Sequence, residues 1–305
     1  MNATRFFVAA CIAFLFSCQK KEEKRLVISE QLIDNFDFTK DAVFDTLSVP
    51  PHLRKIVADI SALNIYETKQ GGKGAVETPA NFKNFKKLFG TASESELLAF
   101  TDNKNNAVAV YAAIGLQEKN NRYTVPVFQK MLNRKGRVHF QDGCIIGEDH
   151  PAEPVYWNHY YKLESKELKS DSGLKQLDSM LLFMPDSSEL ILTTALRNRT
   201  YSEGLKKQIA KQAFEYHRLP ALLYITSWHK KEYAVPLQKE LLELIKNDSL
   251  DTDHKRYYLS ELLSFNNVEN KKAILNYLRK DSSWKEDGKI LSQMENNGIS
   301  AEDYK

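Results

Sequence analysis

The apolar positions of this chain recur mainly at three- and four-residue intervals, the period of a helix with one buried face. Between His52 and Tyr66 they are Leu53, Ile56, Val57, Ile60, Leu63 and Ile65, which predicts a helix. Pro79 to Leu88 repeats the pattern through Phe82, Phe85 and Leu88, with Gly90 placed to close it as a C-cap. Thr91 to Glu96 then supplies an N-cap and early acids for a helix over Glu94 to Phe100. Two runs differ, because Ala107 to Leu116 and Leu219 to Trp228 are apolar nearly all round. Each falls well short of the ~20 residues that cross a bilayer, so both are predicted to be buried between other helices. After each run the same signature returns, Tyr123-Thr124-Val125-Pro126 and Tyr233-Ala234-Val235-Pro236, and leads into an amphipathic pattern. Pro126 and Pro236 are expected at the first helical position, where a missing N–H costs nothing.

Tyr123 and Tyr233 stand 110 residues apart, which fits three units of roughly 37. Moving by one unit from Leu241 and Leu242 reaches Leu278 and Leu205, each in another helical pattern. Glu189 to Leu196, Tyr201 to Ile209, Tyr257 to Phe265 and Lys272 to Leu278 complete the series, so about 172 to 295 reads as consecutive helical hairpins. Ser95 to Asp102, a short polar turn, and then Ala107 to Leu116 resemble a HEAT-type repeat. That resemblance implies an amphipathic first helix and a buried second one rich in small residues. Ala109, Ala112, Ala113 and Gly115 would let neighbouring helices approach closely. The expected fold class is all-α, an α-solenoid of HEAT-like hairpins, with a non-repeating all-α domain as the alternative.

Composition narrows this little. Twelve Gly and nine Pro are few for a turn-rich β fold. A net charge of +3 gives no reason to expect a nucleic-acid partner. The leader adds more. Arg5 precedes an apolar run from Phe6 to Phe16, too short to span a membrane, and the run ends Leu15-Phe16-Ser17-Cys18. This resembles a lipobox, with Phe16 bulkier than is usual there. The resemblance implies diacylglycerol on the Cys18 thiol, cleavage before Cys18, and acylation of its new amine; two or three acyl chains anchor stably. Gln19-Lys20-Lys21-Glu22-Glu23-Lys24 resembles the export signal of surface lipoproteins in Bacteroidetes-type bacteria, the plainer reading being a solvated tether. The expected organisation is a signal peptide at 1–17, lipidated Cys18 and tether over 18–45, helical repeats over 46–170 with an irregular loop region at 136–155, and helical repeats over 171–305. The expected place is the bacterial outer membrane, on its periplasmic or cell-surface face.

Chemistry-bearing residues gather only between His139 and His159. His139, Cys144, His150 and His159 are the speculative alternative, a metal site or a Cys/His pair, but their spacing matches no zinc motif. Asp142 to Gly147 reads equally as a packed turn between helices, with Cys144 a small buried apolar residue. As the one cysteine after the leader, Cys144 can form no disulfide within the body. Tyr156, Trp157, Tyr160 and Tyr161 could form a platform for a sugar, a peptide or a protein partner, yet their four-residue spacing is also that of a core stripe. Gln70 to Gly74 lacks the Lys-Ser/Thr of a phosphate loop and reads as a flexible connection. His229 to Lys231 and His254 to Arg256 are expected to be solvated turns. No catalytic motif and no cofactor are expected. The predicted function is a non-enzymatic protein- or peptide-binding module tethered to the envelope; the alternative is an envelope metal- or Cys-dependent hydrolase using the His139–His159 region.

Overall fold

The computed structural model describes residues 37–69, 78–197, 199–246, 252–280, 287–300 and 302–303. The leader, Cys18 and Gln70 to Gly74 therefore lie outside the described residues. What is described is mostly helical, with fourteen α-helices and one three-stranded sheet. The chain divides into two compact units between Val155 and Tyr156; the expected change of region at 170/171 falls within the second.

In the first unit α1 (Pro51–Leu63) buries Leu53, Val57 and Ile60. It stops at Asn64, which takes the left-handed conformation (φ 50°), and the chain turns into β1 (Ile65–Glu67) instead of remaining helical to Tyr66. The next helix, α2 (Ala80–Thr91), runs through Gly90, which therefore caps nothing; the chain becomes extended at Ala92. Ser93 then opens α3 (Glu94–Phe100) with a reciprocal capping box, its hydroxyl accepting from Glu96 N–H while the Glu96 carboxylate accepts from Ser93 N–H.

The apolar run becomes α4 (Asn106–Lys119), buried continuously from Ala107 to Gln117. It packs against α1, α2, α3, β1 and β2, and against α5 (Thr124–Leu132). A Cβ on Gly115 would stand 3.3 Å from Leu97 Cδ1, so the small residue does set how closely α3 and α4 approach. Tyr123 is the N-cap of α5, which makes Pro126 its third residue rather than its first. Third place is also harmless, because the first four N–H groups of a helix have no partner within it.

The irregular loop expected at 136–155 is largely sheet. β2 (Val138–Asp142) and β3 (Ile145–Asp149) form an antiparallel hairpin, and β1 pairs parallel to β2 on its other side. Gly143 and Cys144 form a two-residue turn. Gly143 has φ +61° whereas Cys144 is not in the left-handed region, the pattern of a type II′ turn. Gly147 faces Phe140 across the pair; a Cβ there would lie 3.0 Å from the Phe140 ring, which covers the glycine. After the hairpin, α6 (Ala152–Tyr160) crosses the division between the units.

The second unit contains α7 (Ser172–Leu181), α8 (Glu189–Leu196), α9 (Glu203–Phe214), α10 (Leu219–Trp228), α11 (Ala234–Leu244), α12 (Thr252–Leu263), α13 (Val268–Lys280) and α14 (Gly288–Asn296). Each packs on helices one or two places along the chain: α7 on α8, α8 on α10, α9 on α10 and α11, α11 on α12 and α13, α12 on α13 and α14. One continuous core runs through them, from Leu182 and Leu192 to Met294 and Ile299. Tyr233 is the N-cap of α11 and Pro236 its third residue, as at α5. His254 to Arg256 is not a solvated turn: it lies inside α12, with Lys255 buried.

Candidate functional site

The aromatic stretch stands on α6 and just beyond it. Four-residue spacing stacks its rings in two columns, Tyr156 on Tyr160 (6.1 Å) and Trp157 on Tyr161 (5.5 Å), with edge-on contacts between the columns. The columns have different fates. Tyr156 is fully buried, whereas Trp157 and Tyr160 are half-buried and Tyr161 is exposed. Tyr156 is thus core, while half-buried Tyr160 and the Trp157–Tyr161 pair leave part of the aromatic stretch accessible.

Beneath Tyr156 lies a buried polar network. The Tyr156 hydroxyl donates to Asp178 Oδ1 (2.8 Å), and Arg199 Nη2 meets Asp178 Oδ2 at 2.9 Å. Arg199 Nη2 also donates to Leu168 O (2.7 Å). Arg199 Nη1 is buried with no hydrogen-bond partner among the described residues. Burial pushes the Asp178 carboxyl up to about 7, although Arg199 and the Tyr156 hydroxyl pull the other way. Burial first, and then the nearby Asp178 charge, raise the Tyr156 and Tyr201 phenols. Next to this network His159, also buried, lies 2.9 Å from Asp171 Oδ1. Burial pushes the Asp171 carboxyl up, but the Leu174 N–H that it caps and the His159 ring outweigh this and hold it below the ordinary range.

His139 belongs to β2 in the first unit. Its Nε2 lies 3.2 Å from both Asp41 oxygens, and its Nδ1 lies 3.1 Å from Glu148 Oε1. The Nδ1 contact is a charge contact whose angle falls outside hydrogen-bond geometry. His150 is buried, and its Nδ1 accepts from Ala152 N–H (3.3 Å). At the end of the hairpin burial raises Asp149 to about 7, helped by the Glu153 charge and opposed by Arg137.

The four residues of the metal or Cys/His alternative are therefore dispersed over separate local arrangements. His139 faces Asp41 and Glu148, His150 a backbone N–H, and His159 Asp171. Cys144 is exposed at the hairpin turn, not packed between helices. Among the described residues no three or more His, Cys, Asp or Glu side chains are placed to hold a metal.

Two hollows of about 270 and 210 Å³ lie in the first unit. The larger is lined by Asp45, Glu96 and Asp102, but all three carboxylates are engaged, by Lys104 N–H, by Ser93 and His52, and by Lys130 respectively. The smaller is lined by Asp41, Lys104, Arg137 and His139.

Sequence reasoning missed Asp178, Arg199 and Asp41, whereas Glu148 falls within the His139–His159 stretch that it singled out. One signal was present for Asp178: it shares the helical face of Leu174, Leu177 and Leu181, where a carboxylate must find a buried partner. Nothing local pointed to Asp41, which meets a residue 98 positions away. Comparison with protein-family models, with curated proteins and with solved structures finds nothing that matches this chain.

Proposed function

We propose that this chain is a non-enzymatic α-solenoid lipoprotein of the bacterial outer membrane, which holds a protein or peptide partner. The observation that carries the array reading is a recurring register of side-chain bonds joining residues 26 to 34 positions apart. In the first unit Arg134 donates to Thr101 O, Asn103 O and the Asn106 side chain, tying the end of α5 to the turn before α4. In the second, Arg218 donates to Pro185 O, Ser187 O and Glu189, tying the start of α10 to the turn before α8. Gln212 with Leu182 O, Lys230 with Glu261, and Asn270 with Gln238 continue the register. Stacked helical hairpins make this kind of bond, since each unit touches only its neighbours.

Such arrays present extended surfaces to proteins or peptides. Phe183, Leu190, Trp228, Val235 and Val268 are large apolar side chains exposed on the second unit. Among the described residues no helix is long and apolar enough to cross a membrane. In this reading attachment is by acyl chains on Cys18. Palmitate labelling and membrane fractionation test the anchor: label and outer-membrane recovery are expected for the wild type and lost in Cys18→Ser. Crosslinking in intact cells followed by pull-down tests the partner. A defined protein should be recovered, and less of it with Trp228→Ala and Val235→Asp together. Label-free, soluble protein with no specific crosslink would overturn the reading.

A further inference from the structure

We propose that the open edge of β3 pairs antiparallel with β3 of a second copy of this chain, about a two-fold axis at Gly147. The inference is independent of the envelope reading and uses none of the second-unit surface. It starts from the direction of the backbone groups. Thr68 N–H donates to Gln141 O (3.1 Å), so Gln141 faces β1. Its register partner on β3 is Ile146. In an antiparallel pair, opposite residues turn their backbone groups either both toward each other or both away. Ile146, and Glu148 two residues on, therefore point N–H and C=O out of the sheet. Among the described residues neither has a backbone partner for these groups.

The two edges of the sheet differ in this. On β1 the outward groups are covered by side chains: the Tyr111 hydroxyl accepts from Glu67 N–H (2.8 Å) and donates to Glu67 O (3.0 Å), and Asn81 Nδ2 donates to Ile65 O (2.7 Å). Residues 37–45, expected to be part of the tether, are instead fastened to Asn64, Asn105 and Asn103, and they bond to none of the β3 edge groups. An edge left bare in this way is a template for another strand.

Self-complementarity selects the occupant. Ile146 and Glu148 are symmetric about Gly147, so an axis there sets each against the other in the partner. The two facing pairs exchange four N–H···O bonds, which satisfies every outward group. An axis at Ile146 would leave Glu148 facing Cys144 in the turn, and one at Glu148 would set two carboxylates directly opposite each other. At the Gly147 axis the two glycines meet at the closer, non-hydrogen-bonded spacing, ~4.5 Å between Cα atoms, with no side chain in the way. Within each chain the Phe140 ring lies over Gly147. Ile145, 62% exposed, shares that face and stands diagonal to the partner's Gly147, against the ring that covers it. Pairing thus covers the exposed isoleucine and joins two three-stranded sheets into one.

Disulfide trapping in the full chain tests both the pairing and its register, in a background with Cys11→Ser, Cys18→Ser and Cys144→Ser. Ile146→Cys in one chain faces Glu148→Cys in the other at ~5.5 Å between Cα atoms, within disulfide reach. Like cysteines stand out of register at ~7–8 Å, beyond it. Mild oxidation of a mixture of the two variants should therefore give a covalent dimer, and oxidation of either alone should give none. No covalent dimer from the mixture, or as much from one variant alone, would overturn the proposal. Light scattering on the same cysteine-free background gives a second measure. A short edge belongs with small, transient interfaces, so the mass should rise with concentration. Ile146→Pro, which lacks the N–H, should abolish that rise. A chain that stays monomeric across the series, with or without an extended peptide of another protein on β3, would equally overturn it.

Discussion

Asp178 shows at the residue scale how one polar side chain on an apolar face is accommodated. It occupies a core position of α7, and its two oxygens are met by a phenol and a guanidinium. Removing one partner of such a pair is worse than never having had it. Asp178→Ala leaves Arg199 without its counter-charge and should cost about 3–5 kcal/mol in denaturant unfolding. Asp178→Asn keeps a group that can accept from Tyr156 and should cost less. The same residue predicts a pH effect. Its folded-state pKa, about 7, lies above the ordinary carboxylate value of 3.8, so the folded protein binds more protons than the unfolded chain between them. Its contribution to stability therefore falls as pH rises through that window. Asp149, also raised to about 7, acts with the same sign in the first unit. Unfolding midpoints from pH 4.5 to 8 should fall less steeply in Asp178→Asn than in the wild type; equal slopes would mean that Asp178 does not titrate there.

Elements begin and end where side chains satisfy the first and last turns. Ser93 and Asn105 are both N-caps, yet they do different amounts of work. Ser93 is exposed and bonds only within its own turn. Asn105 accepts from Val108 N–H at the start of α4 and also donates to Val43 O and Asn64 Oδ1. Ser93→Ala should cost about 1 kcal/mol, the ordinary worth of a cap. Asn105→Ala should cost roughly twice that or more, since Asn64 loses a donor at a buried position and Val43 O loses one at a half-buried position. Urea titration monitored by circular dichroism separates the two. The hairpin at 138–149 carries a local signal in the sequence. Val138 and Phe140 alternate with polar residues up to a Gly143-Cys144 turn, the period of a strand and the chemistry of a type II′ turn. Helical period elsewhere, together with two glycines and a cysteine read as a packed turn, hid it.

At the scale of the molecule, contacts in the second unit stay between helices close in sequence. A core truncation should then act mostly on its neighbours. Leu259→Ala, at a fully buried site on α12, should cost about 2–5 kcal/mol of local stability. Amide exchange should speed up in α11 to α14 and change little in α7 and α8. A uniform loss of protection across the unit would mean that it unfolds as one cooperative block instead.

Much of this was legible because it rests on periodicity. The first apolar run became α4 and is buried throughout as expected; the second became α10, which is buried through its middle but ends on an exposed Trp228. Glu189–Leu196 appeared with its expected limits, and both Tyr-x-Val-Pro stretches open helices. A continuous apolar run can satisfy its backbone only as a helix or strand, and its length and small residues chose the helix. Tertiary structure alone decided the partners of the polar groups. Asp41 with His139, Tyr156 with Asp178 and Arg218 with the turn at Pro185 are joined across loops whose path no local pattern specifies. Hydrophobic burial is non-directional and survives as a pattern along the chain. Hydrogen bonds and ion pairs are directional and short-ranged, and they take shape only after the core has brought their partners together.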